Sequence, residues 1–176
     1  MSVIKDVNQA WVNFETIRPV IEDYIEKVNL PSLSVEDEGH VFEKIKNIRD
    51  IRNQLVKYSL ALRFIKRFTR RSAQIQEENR QKEIAMILDL NQEKFKSLKT
   101  KDERDAVLAS LLKPLPFDWK QADADVEETL LSVNILIQEL QRAFQEYELI
   151  YNFQKTVSMG YLLSQASSKL NDVIQK

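Results

Sequence analysis

The chain has 176 residues, 43% hydrophobic and 30% charged, with two glycines, four prolines and no cysteine. This size and balance fit one soluble folded domain, or one compact unit with a long extension, and exclude a disordered chain. The missing cysteine excludes disulfides and thiol chemistry, and no apolar run reaches the roughly 18 residues of a membrane span.

With so few glycines and prolines the elements must be long. They are therefore helical, because strands average about five or six residues. The expected fold is all-α: a helical bundle with a long, amphipathic, coiled-coil-like C-terminal helix. The start, MSVIKDVNQAW, has no signal-peptide apolar region, which points to the cytoplasm (the host's, for a phage-encoded chain).

The first helix is expected from about Val3 to Val28, with Val7, Trp11, Phe14, Ile21, Ile25 and Val28 on one apolar stripe. Pro19 either divides it into two helices or kinks it. A linker follows over residues 29–39, NLPSLSVEDEG, with Ser34 as candidate N-cap. The second helix is expected to start near Val35 and run past Arg71. Its core stripe is Ile48, Ile51, Leu55, Tyr58, Leu62 and Ile65. Apolar periodicity fades over residues 69–81, which are either exposed helix or a break. It resumes with Ile84, Ile87, Leu88, Phe95 and Leu98. Thr100 and Glu103 have capping-box spacing, so a short helix should follow to about Leu112, stopped by Pro114 and Pro116.

The last helix is expected from about Asp123 to Tyr161. Val126, Leu130, Val133, Ile137, Leu140, Phe144, Tyr147 and Tyr151 alternate spacings of four and three. They form a seam about 38 Å long, either an internal bundle core or an oligomerisation surface, or both. This divides the chain into a helical body, residues 1–112, with a basic helix at about 35–80, and a C-terminal packing or oligomerisation helix, residues 113–176. Gly160 marks either a bend or the end of tight packing.

Charge is strongly segregated. Residues 44–82 hold twelve Lys or Arg against three acids, a net of +9; the remaining 14 basic and 24 acidic residues give −10. At 100° per residue, Arg49, Arg52, Arg63, Arg67, Arg70 and Arg71 fall within an arc of about 100°, away from the core stripe. Lys66 lies beside them and Phe64 and Phe68 flank them, one turn apart. Guanidinium groups grip phosphates with paired hydrogen bonds, and aromatic faces stack on unpaired bases. The pattern suits sequence-independent binding of single-stranded DNA through Arg49, Arg52, Arg63, Phe64, Lys66, Arg67, Phe68, Arg70 and Arg71. An acidic partner, or the nine acids of residues 118–176, could equally neutralise the ridge.

Catalytic chemistry is poorly supplied. His40, the single histidine, shares a helical face with Glu36 and Glu43, but a di-iron carboxylate bundle needs two E-x-x-H elements. A surface histidine is the better reading, and no metal or cofactor is expected. There is no Gly-rich phosphate loop and no nucleophile with a histidine base. Asp123 and Asp125 would diverge on a helix and suit helix-start charge. A non-enzyme is expected, not bound to a membrane.

A basic patch at Arg63–Arg71, a short charged helix through Glu103, Arg104, Asp105, Ala106, Val107 and Leu108, and a long amphipathic C-terminal helix come in that order. In this arrangement the chain resembles the UvsY-like tailed-phage recombination mediators, over about its last two-thirds. The resemblance implies a ring-like homo-oligomer joined through the C-terminal helices. It also implies single-stranded DNA as ligand, and a recombinase and a single-strand-binding protein as partners. The alternative is a helical structural or adaptor protein, such as a virion or assembly component, whose basic helix meets an acidic partner surface.

Overall fold

A computed structural model describes residues 7–28 and 38–174. Five helices follow in order: α1 Val7–Lys27, α2 Glu38–Leu90, α3 Gln92–Ser97, α4 Lys101–Leu111 and α5 Trp119–Ile174. No strand occurs among the described residues, so the fold is all-α as expected. The 29–37 part of the expected linker, with Ser34 and Glu36, lies outside the described residues.

The two ambiguous stretches are resolved as continuous helix. Pro19 lies inside α1 rather than between two helices. α2 runs without interruption through 69–81. The chain instead breaks at Asn91, within the apolar stripe that resumes at Ile84, so that Phe95 and Leu98 leave α2 for α3 and its C-cap.

Thr100 and Glu103 form the expected capping box at the start of α4. The Glu103 amide donates to Thr100 Oγ1 at 3.2 Å, and the Thr100 amide donates to Glu103 Oε2 at 3.1 Å. α5 begins four residues earlier than its apolar seam suggests. The cause is Asp118, whose Oδ1 accepts from the Lys120 and Gln121 amides, each at 3.0 Å. A carboxylate there satisfies orphan donors and sits at the positive end of the helix dipole. Asp118, rather than Asp123 or Asp125, supplies the helix-start charge.

The sequence suggests a division at residue 112, but the contacts partition the chain differently. The first unit joins the described part of Met1–Arg18 to Ala61–Leu130. The second joins the described parts of Pro19–Leu60 and Leu131–Lys176. Three helices, α1, α2 and α5, therefore contribute to both units, and α1 changes unit between Arg18 and Pro19.

The first unit buries Ala10, Phe14, Ala61, Leu62, Ile65, Thr69, Ala122, Val126 and Thr129. Trp11 packs on Phe14 and, edge to face, on Phe117, which in turn meets Trp119. The second unit buries Ile21, Val41, Ile48, Leu55, Ser59, Val133, Leu136, Leu140 and Tyr147. There Tyr24 stands edge to face on Tyr58, and Ser59 Oγ donates to Asn134 Oδ1 at 2.9 Å. Burial, together with the nearby Tyr58 and Asp50, raises the Tyr24 phenol above its ordinary value.

Candidate nucleic-acid interface

The basic cluster of the first unit lies on α2 between Arg63 and Arg71. Leu62, Ile65 and Thr69 of this segment point into the core, and Arg63, Arg67, Arg70 and Arg71 are exposed. Helical geometry forces the separation: the three buried residues sit three or four positions apart, on the face opposite Arg67. Among the described residues, none of these four arginines makes an ion pair or a hydrogen bond.

Lys66 behaves differently. Its Nζ lies 2.6 Å from Glu127 Oε1 on α5, and its side chain is only 21% exposed. Glu127 is held below the usual carboxylate range by the Lys66 hydrogen bond and charge, with a smaller contribution from Arg70. One turn along α2, the buried Thr69 hydroxyl donates to Asp123 Oδ1 at 2.7 Å. The acids of α5 thus meet the edge of the basic cluster, through Asp123 and Glu127, and among the described residues form no ion pair with Arg63, Arg67, Arg70 or Arg71.

The two phenylalanines pack on each other, with ring centroids 5.4 Å apart and planes tilted by 57°. Phe64 stays 43% exposed, while Phe68 is half-buried at the boundary with the core. Phe64 is therefore the more open of the two rings, and Phe68 packs against it at the margin of the core. A cationic strip with one partly exposed aromatic ring can hold a phosphate backbone and stack a base.

Arg49 and Arg52 belong to the second unit. Arg49 is exposed; Arg52 is half-buried, and its buried Nε has no hydrogen-bond partner. The patch in the first unit is therefore Arg63, Phe64, Arg67, Arg70 and Arg71, with Lys66 and Phe68 at its margins.

The C-terminal seam turns inward. Val126, Val133, Leu140 and Tyr147 are fully buried within the chain, and Leu130, Ile137, Phe144 and Tyr151 are half-buried. Lys44 approaches the Tyr147 ring, 5.6 Å from its centroid, and Phe42 lies 6.0 Å from Tyr151. The bundle-core role of the seam is visible, and the same side chains leave little open surface for a second subunit. Gly160 has open space around it, and the described side chains beyond Gln154 are all exposed, which places it past the end of the packed seam.

A set of polar residues escaped the sequence reading. Gln76, Arg80 and Glu83 lie at helical spacing on α2 and hold the segment between α4 and α5. Gln76 Nε2 donates to the Phe117 carbonyl at 2.6 Å, and the Trp119 amide donates back to Gln76 Oε1 at 3.1 Å. Arg80 donates to the Lys113 carbonyl at 2.7 Å, and the Lys113 amide donates to Glu83 Oε1 at 3.3 Å. The backbone hydrogen bond from Lys113, with Arg80 beside it, lowers Glu83 from its ordinary value.

His40 is exposed, and no group of three metal-ligating side chains occurs among the described residues. No helix among them is long and apolar enough to cross a membrane. Comparison with protein-family models, with curated proteins and with solved structures returned no match.

Proposed function

We propose that this chain is a non-enzymatic accessory protein that binds single-stranded DNA, of the kind that serves recombination or replication. One observation carries the reading: Arg63, Arg67, Arg70 and Arg71 are exposed and form no ion pair among the described residues, although Asp123 and Glu127 of α5 bond to neighbouring positions of the same helix. Four exposed guanidiniums in nine residues, with Glu127 acting only on Arg70 among them, raise a local positive potential that favours a polyanion. The 43% exposure of the Phe64 side chain favours an unpaired strand over a duplex, since a base must be free to stack.

The adaptor reading draws support from the Lys66–Glu127 pair, which gives the geometry an acidic helix would adopt against this cluster. The two readings differ in ligand and in salt response. Binding to a labelled single-stranded oligonucleotide is measured at two salt concentrations, for the wild type and for the triple variant Arg67→Ala/Arg70→Ala/Arg71→Ala. Loss of up to three phosphate contacts should lower the slope of log K against log salt by about 2. Affinity at low salt should fall at least about tenfold. Absence of binding at low salt, or a triple variant that binds like the wild type, would defeat the nucleic-acid reading. Equal affinity for polyglutamate and for the oligonucleotide would favour the adaptor.

A further inference from the structure

α5 carries a second apolar stripe on the side opposite its buried seam. Leu131, Ile135, Leu149 and Phe153 fall within an arc of about 40° at 100° per residue. Their centre lies about 150° from that of the buried Val133, Leu136, Leu140 and Tyr147. They are 58%, 48%, 71% and 72% exposed, so no described residue of the chain covers them. All four belong to the second unit.

The spacing of this stripe is palindromic. From Leu131 to Ile135 is four residues, from Ile135 to Arg142 seven, from Arg142 to Leu149 seven, and from Leu149 to Phe153 four. Arg142 lies at the centre of the 40° arc. It is exposed and forms no ion pair among the described residues, as do Glu139 and Glu146, which flank it at i−3 and i+4.

A palindrome on one helix face is the pattern that a twofold axis perpendicular to the helix requires. We propose that a second copy of this chain covers the stripe, with the two α5 helices antiparallel and the axis at Arg142. Leu131 then faces Phe153 of the other copy, Ile135 faces Leu149, and Gln138 faces Glu146. Each Arg142 guanidinium reaches an acid beside its counterpart, Glu139 or Glu146, so both arginines are paired across the axis and two of the four glutamates stay unpaired. The interface is isologous, with each contact made twice. A parallel pairing would set every residue opposite its own kind whatever the spacing, so it gives the palindromic spacing no role. The interface uses the outward face of α5, distinct from the seam, and does not depend on the basic cluster binding DNA.

The chain has no cysteine, so single introduced thiols report the register cleanly. Under mild oxidation Arg142→Cys should cross-link to itself, because the two copies of position 142 meet at the axis. Leu131→Cys alone and Phe153→Cys alone should not, since position 131 lies about 33 Å along the helix from position 153. An equimolar mixture of the two should give the cross-linked pair. Light scattering of the wild type should show twice the chain mass in the upper micromolar range. Leu149→Glu/Phe153→Glu should return half that mass with unchanged helicity. A monomeric wild type at every concentration would overturn the proposal, as would self-cross-linking of Leu131→Cys as fast as that of Arg142→Cys. Sedimentation of a monomeric wild type with neutral phosphatidylcholine vesicles would overturn it in favour of a lipid surface.

Discussion

The two units share segments of α1, α2 and α5, the first adds α3 and α4, and they are filled with different side chains. The second unit buries eight apolar or aromatic residues, all of valine size or larger, and one serine. The first buries three alanines and two threonines among its nine. Small side chains let helix axes approach, because interaxial distance follows the residues at the contact. At that distance short polar groups can meet across helices, as Thr69 and Asp123 do. The second unit is held mainly by apolar burial. The first combines a slimmer core with directed polar bonds, and it carries the unpaired arginines. A cationic face in the first unit is thus positioned by specific hydrogen bonds beneath it.

The comparison makes opposite demands on core substitutions. In the second unit truncation should be costly: Leu140→Ala should destabilise by about 2–5 kcal/mol through lost burial and the cavity left behind. In the first unit enlargement should be costly. Ala122 is buried at the start of α5, and Ala122→Leu, which adds methylenes to a packed site, should cost about 1–3 kcal/mol. Denaturant titration of both variants checks the pair. A neutral Ala122→Leu would mean that the first unit has slack between its helices, and the account of its polar contacts would lose its geometric basis.

How much of this was legible in the sequence follows the same division. The apolar stripes of α2 and α5 are long and regular, and their buried members, from Ile48 to Ile65 and from Val126 to Tyr147, face the cores. Hydrophobic periodicity is a direct record of burial. It falls silent where a helix makes its contacts with polar groups. Residues 69–81 lose their apolar stripe because Thr69 and Gln76 bond there to Asp123, Phe117 and Trp119, and Arg80 and Glu83 continue the row. Their spacing is helical, but no hydropathy scale marks it. The arginine cluster was legible from charge and angle alone. The pairing of Lys66 with Glu127 was not, since it joins positions 61 residues apart in the chain and depends on which face of α5 meets α2. The partition into two interleaved units is invisible along the chain for the same reason: it arises from contacts between distant segments of unbroken helices.

The smallest effect sharpens the comparison through pH. Glu83, Glu103 and Glu127, the carboxylates among the described residues that native bonds hold below their ordinary value, all belong to the first unit. For Glu103 the causes are the Thr100 and Lys99 amides, which donate to it at the start of α4. A carboxylate lowered in the folded state stabilises it above the unfolded value near 4.5, and that contribution is lost as pH falls through the lower folded value. Protonated Glu103 no longer offers those amides a charged acceptor. Amide exchange at Lys99, Thr100 and Lys113 should therefore accelerate as pH drops below about 4.5, after correction for the intrinsic exchange rate. Glu103→Gln keeps a capping-box side chain without the charge and should abolish the acid-linked part at Lys99 and Thr100 while leaving that at Lys113. Thr100→Ala, which removes the other half of the box, should cost α4 about 1 kcal/mol at neutral pH. Acid-linked acceleration of the same size at the Ser59–Asn134 contact of the second unit would show that the carboxylates do not act locally. The polar and apolar units would then be a single cooperative element under acid.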